Sequence, residues 1–304
     1  MRILVTGGAG FIASHVAEAY IAAGHEVHVV DNLATGHREN VPAGAEFHQA
    51  DILSGEFEEL VARLKPEVVN HHAAQASVKL SASNPLGDLD ANARGTARVA
   101  EFAAANGVRK LIYASTGGAL YGDPEYVPVD EGHPIRPISA YGLSKYMGEL
   151  WIGLVGRTKG LDYTILRYAN AYGPRQDPHG EAGVVAIFTG KLLAGEQCTI
   201  DGDGEQMKDY VYVSDLARAN LLALELGSRR ALNIGTCSGT SVNAIFATLR
   251  DSVGSEATAL HGPPRPGDVR NIWLESSLAA GVLGWKPEVS FADGMRATVE
   301  AARE

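Results

Sequence analysis

The sequence predicts an α/β fold built on a doubly wound parallel sheet, with a smaller C-terminal lobe. In the first half of the chain, short apolar and β-branched runs alternate with amphipathic helical segments. Most of the apolar runs are continuous, which is typical of strands that helices cover on both faces. After about residue 170 the alternation weakens, and Gly, Pro and Asp become frequent. We therefore expect residues 1–169 to form the sheet domain and residues 170–304 the lobe, with a gradual boundary across which segments can interleave.

Each element is predicted from its local pattern. Clusters of β-branched and apolar residues predict strands at residues 2–5, 26–30, 46–50, 67–70, 110–114 and 163–168. Apolar residues spaced three and four apart predict helices at residues 11–23, 56–64, 92–105 and 140–157. In the lobe, we expect short strands at residues 198–200 and 210–213 and helices at residues 185–193 and 213–226.

Charge and cysteine content limit the classes of protein that fit. The 304 residues include 26 Lys and Arg against 36 Asp and Glu, a net charge of −10, without a basic run. This balance argues against general nucleic-acid binding and against attraction to an anionic membrane. The sequence also lacks a transmembrane stretch and the features of a secretory signal. Because Cys198 and Cys237 are too few for a disulfide framework or a zinc site, we expect a cytoplasmic protein.

The segment TGGAGFIA, from Thr6 to Ala13, predicts a dinucleotide site between the first strand and the first helix. Glycines at Gly7 and Gly10 let a pyrophosphate approach the backbone, and the helix N-terminus offers free N–H groups. Asp31 ends the second strand 21 residues after Gly10, where its carboxylate can accept hydrogen bonds from the adenine ribose. A 2′-phosphate would meet a like charge there, so NAD is favoured over NADP. The alternative is that Asp31 only begins a turn.

Further cofactor contacts are expected after the third and fourth strands, because the ligand crevice of a doubly wound sheet lies at its carboxyl edge. These positions offer acceptors, an apolar wall for the adenine and small side chains beside the sheet edge. They are Asp51, Ile52, Ala73, Ala74 and Gln75. His71 and His72 have no carboxylate or cysteine at ligand spacing, so we predict no metal site.

A Tyr-x-x-x-Lys pair follows the fifth predicted strand, which ends at Ser115 and Thr116. Tyr141 and Lys145 share one face of a helix that begins near Ser139. A nearby ammonium and a cationic nicotinamide would lower the tyrosine pKa from about 10. The phenol would then act as a base for a hydroxyl group beside a hydride acceptor. An ordinary surface pair is the alternative interpretation.

Taken together, these motifs resemble the extended short-chain dehydrogenase/reductase superfamily of NAD-dependent epimerases and dehydratases, and most closely its UDP-glucose 4-epimerases. The resemblance covers essentially the whole chain. It is carried by TGGAGFIAS, DNLATGHREN, HAAQASV, NARGT, STGGALYG, YGLSK, RYANAYGPRQDPHGEAGVVAIF, DYVYVSDLA and PPRPGD. It implies a Rossmann-type fold and C4 epimerisation of a UDP-hexose through a 4-keto sugar, with NAD retained between turnovers.

The resemblance also implies roles for individual residues. Tyr141 takes the proton of the sugar 4-hydroxyl, Thr116 hydrogen-bonds the reacting oxygen, and Lys145 holds the nicotinamide ribose and lowers the tyrosine pKa. Asn92 positions the segment around the nicotinamide and the active-site helix. The other implied cofactor contacts are Phe11, Ile12, Asn32, Ser115 and Tyr168. The implied sugar-nucleotide contacts are Thr116, Asn170, Gly183, Val184, Val185, Thr199, Ile200, Lys208, Arg265 and Asp268.

The loop after Thr116 distinguishes reactions within the superfamily. Dehydratase relatives place Asp-Glu after this Thr, and decarboxylating relatives carry a Glu nearby, whereas this chain has Gly117, Gly118 and Ala119. Without an eliminating acid, return of the hydride is the expected reaction. Ile272, near a position where relatives can carry a bulky aromatic, predicts that N-acetylated sugars are also accepted.

Two alternatives to this function remain open from the sequence. One is another nucleotide-sugar enzyme of the superfamily, such as a dTDP- or UDP-sugar epimerase, dehydratase or reductase, or a UDP-uronate 4-epimerase. The other is a dinucleotide sensor without catalysis. Family members pair through the two helices at residues 92–105 and 140–157, where Ala100, Ala103 and Ala104 allow close approach. We therefore expect a homodimer, although the same faces can simply cover the sheet.

Overall fold

The computed structural model describes residues 1–178, 183–264 and 269–303. Its strands in chain order are β1 (Arg2–Thr6), β2 (Glu26–Asp31), β3 (Ala45–Gln49), β4 (Val68–His71), β5 (Lys110–Thr116), β6 (Asp162–Tyr168), β7 (Asn170–Tyr172), β8 (Thr199–Asp201), β9 (Met207–Lys208), β10 (Tyr210–Tyr212), β11 (Arg230–Ile234), β12 (Thr240–Ser241), β13 (Leu260–Gly262) and β14 (Asn271–Ile272). Its α-helices are α1 (Phe11–Ala22), α2 (Gly55–Leu64), α3 (Val78–Ser83), α4 (Pro85–Asp88), α5 (Gly95–Ala105), α6 (Ala140–Lys159), α7 (Val184–Ala194), α8 (Val213–Ala223), α9 (Val242–Val253), α10 (Ser277–Leu283) and α11 (Phe291–Ala301).

Seven parallel strands form the central sheet in the order β11-β6-β5-β4-β1-β2-β3. The strand order reverses between β1 and β4, which makes the sheet doubly wound and opens a crevice at its carboxyl edge. The predicted fold class is confirmed. Strand β11 was missing from the sequence prediction. It comes from beyond residue 170 and pairs with β6, so the sheet and the lobe interleave along the chain.

Helices cover the sheet on both faces, as the continuous apolar strands predict. On one face α1 packs against α8, and on the other α2 and α6 pack against α5. Ala100 and Ala103 of α5 are fully buried in the core of the second face. Their small side chains therefore cover the sheet, which is the alternative that the sequence left open for them. None of the helices within the described residues is long and apolar enough to span a membrane.

The lobe has three small sheets and its own apolar core. Strand β7 pairs with β10, β9 with β12 and β14, and β8 with β13. Helices α7, α9 and α11 surround the core, which includes Tyr172, Phe188, Phe246 and Met295. The helix predicted to reach residue 226 ends earlier, at Ala223. The chain enters this lobe from the carboxyl edge of the sheet, because β7 follows β6 directly.

Two helix starts position the candidate catalytic residues. The Ser139 hydroxyl accepts a hydrogen bond from the Gly142 N–H (3.1 Å) and so caps α6, which places Tyr141 in its first turn. The helix predicted from residue 92 is present, but it is preceded by a π-helical segment, Leu89–Arg94. Wide turns of this kind are frequent at functional sites. This one carries Asn92 into the interior of the protein.

Candidate active site

The turn from β1 into α1 has the shape that the glycine pattern predicts. Gly7 adopts a φ of +70°, and a Cβ there would lie 2.6 Å from the Ala73 nitrogen. Only glycine fits this approach of the first turn to the loop after β4. Helix α1 begins at Phe11 and Ile12 after Gly10, and no side chain caps its N-terminus. Its first N–H groups and the positive end of its dipole therefore face the crevice.

The ends of β2 and β3 bring three predicted polar residues together. The Asp31 carboxylate accepts hydrogen bonds from the Ala9 N–H (3.1 Å) and the Leu33 N–H (2.8 Å), which fixes it beside the glycine turn. The Asn32 side-chain amide donates to Asp51 Oδ2 at 2.8 Å. Ile52, which follows Asp51, is buried. These residues lie together at the outer part of the carboxyl edge.

The Asn92 side chain holds the loop after β4 through hydrogen bonds to the backbone of that loop. Its Oδ1 accepts a hydrogen bond from the Gln75 N–H (2.8 Å), and its Nδ2 donates to the Gln75 carbonyl (2.9 Å) and to Ser144 Oγ (3.2 Å). Asp88 completes the cluster by accepting from Ser144 Oγ (2.5 Å) and Gln75 Nε2 (2.6 Å). The loop is thereby connected to α6. Sequence reasoning missed Asp88, because no motif marks the short helix on which it lies.

Thr116 ends β5 and contacts Tyr141 of α6, and Lys145 follows Tyr141 by one turn of that helix. The Tyr141 phenol is hydrogen-bonded to Thr116, and the Thr116 hydroxyl also accepts from the Ala119 N–H (3.2 Å). Lys145 lies on the same face of α6, only 3% exposed, with its Nζ 4.5 Å from the centre of the Tyr113 ring. Within the described residues its ammonium makes no hydrogen bond, so its donors remain available to a ligand.

Burial dominates the pKa values of the pair. It raises the pKa of Tyr141 to about 12; the Asp88 carboxylate raises it further, while the hydrogen bond with Thr116 opposes the shift. Burial lowers the pKa of Lys145 to about 8, against the opposing influence of Glu149 and Asp88. Lys145 is therefore still mainly charged at neutral pH. The expected lowering of the tyrosine pKa is not a property of the protein by itself, because desolvation of the phenolate and the Asp88 charge outweigh the hydrogen bond with Thr116.

A buried ion pair between Arg167 and Glu149 lies next to Ser115 at the end of β5. Arg167 donates through Nε and Nη2 to Glu149 Oε1 and Oε2, at 3.0 and 2.7 Å. Ser115, a predicted cofactor contact, donates its hydroxyl to the same carboxylate at 2.6 Å. Arg167 also contacts the Tyr121 hydroxyl at 3.0 Å, in the loop after Thr116. Sequence reasoning missed Glu149 and Arg167, which belong to different elements with no shared motif.

Tyr168, another predicted cofactor contact, ends β6 in a buried position. Its hydroxyl accepts a hydrogen bond from Asn220 Nδ2 (2.7 Å) and lies 3.2 Å from His72 Nε2. The other ring nitrogen, His72 Nδ1, is buried and has no hydrogen-bond partner within the described residues. Burial, together with the Lys145 charge, lowers the pKa of His72 to about 3, so this ring is neutral. Ala73 and Ala74 continue the chain from this point along the sheet edge.

The loop after Thr116 lies directly against the lobe. A Cβ on Gly117 would lie 2.4 Å from Leu274 Cδ1, and one on Gly118 would lie 3.8 Å from Asn170 Oδ1. Asn170 in turn donates from Nδ2 to the Asp209 carbonyl at 3.0 Å. Of the predicted sugar-nucleotide contacts, Asn170 therefore lies beside the loop after Thr116.

The remaining predicted lobe contacts are spread over several elements. Gly183 and Val184 begin α7, Thr199 is exposed on β8, and Lys208 on β9 donates to the Val269 carbonyl. The side chains of Val185 and Ile200 are buried in the lobe core, so only their backbones are available to a ligand. Arg265 and Asp268 lie outside the described residues.

Residues 3–235 match the model of the NAD dependent epimerase/dehydratase family. The chain belongs to this family. The UDP-glucose 4-epimerase of Thermotoga maritima, solved with UDP-glucose, is 48% identical, with a TM-score of 0.98 over 100% of this chain and 99% of that one. The UDP-glucose 4-epimerase of Thermus thermophilus, solved with NAD, is 44% identical, with a TM-score of 0.95 over 100% and 99%. A UDP-N-acetylglucosamine 4-epimerase of Methanobrevibacter ruminantium, in complex with UDP-N-acetylmuramic acid, is 30% identical, with a TM-score of 0.94 over 99% and 98%.

The residues present fit the cofactor of this NAD-dependent family. The uncapped start of α1 suits a pyrophosphate, and the fixed Asp31 carboxylate suits ribose hydroxyls. At the other end of the crevice, His72 Nδ1 is a buried polar atom without a hydrogen-bond partner within the described residues, and the buried Lys145 ammonium lies over the Tyr113 ring. A bound dinucleotide offers groups that would pair with each of them.

Proposed function

We propose that this member of the family is an NAD-dependent UDP-hexose 4-epimerase that interconverts UDP-glucose and UDP-galactose through a 4-keto sugar. The observation that carries the proposal is the composition of the catalytic group. Tyr141 contacts Thr116, Lys145 follows Tyr141 by one turn of α6, and residues 117–122 contain no carboxylic acid. A base without an eliminating acid supports oxidation and reduction at one carbon, not loss of a neighbouring substituent.

NAD, when bound, would accept a hydride from the sugar C4 and supply it again to the opposite face. Tyr141 would accept the proton of the 4-hydroxyl and return it, with Thr116 holding the same oxygen. Lys145 would donate its free N–H groups to the nicotinamide ribose and place a positive charge near the phenol. Asn92 would act as a positioning residue, since it holds both the Gln75 backbone and Ser144 of α6.

The sugar nucleotide would lie between the catalytic loop and the lobe. The position of Asn170 beside Gly118 supports this placement. The other proposed contacts are Gly183, Val184, Val185, Thr199, Ile200, Lys208, Arg265 and Asp268. Arg265 is the best phosphate ligand among them, because a guanidinium matches phosphate oxygens with two parallel hydrogen bonds. The similarity to a UDP-N-acetylglucosamine 4-epimerase supports a further proposal, that the N-acetylated pair is also a substrate.

The experiment begins with purified protein to which no cofactor is added. We expect NAD in the supernatant after denaturation, detected by chromatography, and conversion of UDP-galactose to UDP-glucose by the untreated protein. Parallel incubations with UDP-N-acetylgalactosamine and with UDP-uronic acids define the sugar range. A protein that is empty, or that forms NADH in proportion to product, would be a net dehydrogenase and would contradict the proposal.

The exposed face of α6 supports a homodimer. Five large apolar side chains lie on it at helical spacing, each between 40% and 54% exposed: Leu143, Met147, Leu150, Trp151 and Leu154. Contiguous apolar faces of this kind mark interaction surfaces, and a second copy of the same helix matches it. Leu150→Glu should give monomers by light scattering, whereas Leu260→Glu, an exposed leucine of the lobe, should not. If Leu150→Glu leaves the wild-type mass, this interface is excluded.

The state of the two cysteines indicates the kind of cellular compartment in which the protein works. Cys198 and Cys237 are both free thiols, a state that reducing compartments maintain. This supports a cytoplasmic location, which fractionation of the source cells would test.

A further inference from the structure

A second cluster of chemically active side chains lies on β2 and β3, apart from the catalytic group. The two strands carry the same pattern, Glu26-Val27-His28 and Glu46-Phe47-His48. Successive side chains of a strand point to opposite faces, so the Glu and the His of each triplet share a face. The parallel register sets His28 beside Glu46. All four polar side chains therefore meet on one face of the sheet.

Three side chains of this cluster, His28, Glu46 and His48, each place a possible ligand atom within 4.8 Å of the other two. His28 Nδ1 lies 3.1 Å from His48 Nε2 and 3.5 Å from Glu46 Oε2, while His48 Nε2 lies 3.6 Å from Glu46 Oε1. Zinc binds histidine nitrogen and carboxylate oxygen at about 2.0–2.2 Å, which in a tetrahedron separates the ligand atoms by about 3.3–3.6 Å. The two nitrogens lie slightly closer than this, and each lies at this separation from one of the two Glu46 oxygens, so a small rotation of the exposed Glu46 side chain would bring one oxygen to both.

The hydrogen bonds of His28 indicate which of its ring nitrogens could bind a cation. His28 Nε2 lies 3.1 Å from Glu26 Oε1, a carboxylate that can only accept, so this nitrogen carries the proton. In the neutral ring Nδ1 then presents a lone pair, with His48 Nε2 at 3.1 Å and Glu46 Oε2 at 3.5 Å. An N–H of His48 can donate to this lone pair, and a metal ion in the same place would instead bind both ring nitrogens and the carboxylate.

The surroundings of His28 match those of metal-binding histidines. Its side chain is only 5% exposed, and Glu26, its partner on the outer nitrogen, is itself held by Arg2 Nε at 2.8 Å. A histidine that donates one ring N–H to a carboxylate while its other nitrogen faces a metal is the usual arrangement in such sites. Glu26 would therefore orient His28, while Glu46 and His48 complete the ligand set.

We propose that His28 Nδ1, His48 Nε2 and a Glu46 oxygen bind one divalent transition-metal ion of the zinc class, with water in the fourth position. Two imidazoles and one carboxylate suit Zn²⁺ and its neighbours. The ion would connect the edge strand β3 to β2, three residues before Asp31. Its role would be structural, because it would fix the end of the sheet that carries the adenosine contacts.

Untagged protein, stripped with EDTA, is titrated with ZnCl₂ by calorimetry, and its Tm is followed with and without Zn²⁺. We expect one ion per chain and a higher Tm. Glu46→Gln and His48→Gln should each weaken Zn²⁺ binding by at least about tenfold and remove the rise in Tm. His261→Gln, an exposed histidine of the lobe, serves as the matched control and should behave like wild type.

Two results would overturn the proposal. One is wild-type protein that binds no Zn²⁺ at micromolar concentration. The other is Glu46→Gln protein, folded by circular dichroism, that binds Zn²⁺ as tightly as wild type. The Glu46 side chain is 66% exposed, so this substitution is expected to leave the fold intact and keeps the test decisive.

Discussion

Arg167 and Glu149 form a buried ion pair with two parallel contacts, one helical turn from Lys145. The closest contact, Arg167 Nη2 to Glu149 Oε2, is 2.7 Å, and both side chains are at most 6% exposed. Glu149 follows Lys145 by one turn of α6, and its carboxylate raises the pKa of that lysine against the effect of burial. The pair therefore joins β6 to α6 and at the same time favours the charged form of Lys145.

Glu149→Gln should destabilise the protein by about 3 kcal/mol, because it leaves the Arg167 charge buried without its partner. Urea unfolding followed by circular dichroism measures the change. The double variant Glu149→Gln/Arg167→Met, which removes both charges, should recover part of the loss. A single variant with the wild-type midpoint would show that the ion pair contributes nothing to stability.

Lys145 should make stability depend on pH in the alkaline range. Burial lowers its pKa from 10.5 to about 8 in the folded chain. Between these values the unfolded chain binds more protons than the folded chain, so the free energy of unfolding rises with pH. Relative to Lys145→Met, nucleotide-free wild type should gain up to about 3 kcal/mol across this interval. Urea unfolding at about pH 7.5 and about pH 10 measures this difference. If the free energies of unfolding of the two proteins change in parallel with pH, the lowered pKa of Lys145 is refuted.

Tyr141→Phe should lower kcat by about 10²–10⁴-fold, because the proton acceptor is lost while the ring is retained. Turnover of UDP-galactose gives the rate, and chromatography of the denatured protein checks that the nucleotide content is unchanged. Tyr146→Phe, on the same helix, is the matched control and should keep wild-type turnover. A kcat equal to that of wild type in Tyr141→Phe would show that the phenol takes no part in the reaction.

Asp31→Asn should reduce retention of NAD by about tenfold or more, since a charged acceptor for two ribose hydroxyls is lost. The measurement is the molar ratio of NAD to protein after gel filtration. Glu39→Gln, an exposed substitution beyond the same strand, is the control. Equal occupancy in Asp31→Asn and wild type would show that the carboxylate does not bind the ribose.

Ile272→Tyr should reduce the range of UDP-sugars that the protein converts. Ile272 is 2% exposed on β14, and its carbonyl accepts from the Asp209 N–H at 3.1 Å, so its position is fixed. A larger ring there should narrow the space around the sugar C2 substituent. We expect kcat/KM for UDP-N-acetylglucosamine to fall by about tenfold or more relative to UDP-glucose. An unchanged ratio, or no turnover of the N-acetylated sugar by wild type, would contradict this prediction.

The parts of the fold that local sequence determines were predicted well. The glycine turn, the helix capped by Ser139 and the buried strands each follow from a few neighbouring residues, and Tyr141 and Lys145 share a face because of helix geometry. Asp88 and Arg167 escaped prediction because their roles depend on partners far along the chain. The His28 and His48 cluster escaped for a related reason, since it exists only once the register of two strands is known.

Strand β11 escaped because its pattern is weak. Residues 230–234, RALNI, contain few β-branched residues and follow an irregular region. Their place in the sheet is set by pairing with β6 and by Asn233, which accepts a hydrogen bond from the Tyr121 hydroxyl at 2.7 Å. A strand held mainly by contacts to distant segments gives little local signal.

The late position of β11 in the chain has a consequence for biosynthesis. While the polypeptide is being made, β6 leaves the ribosome well before the segment that will cover its outer edge. Until residue 234 has emerged, the N–H and C=O groups along that edge are free to pair with other nascent chains. Slow translation between these two strands should therefore favour aggregation over folding.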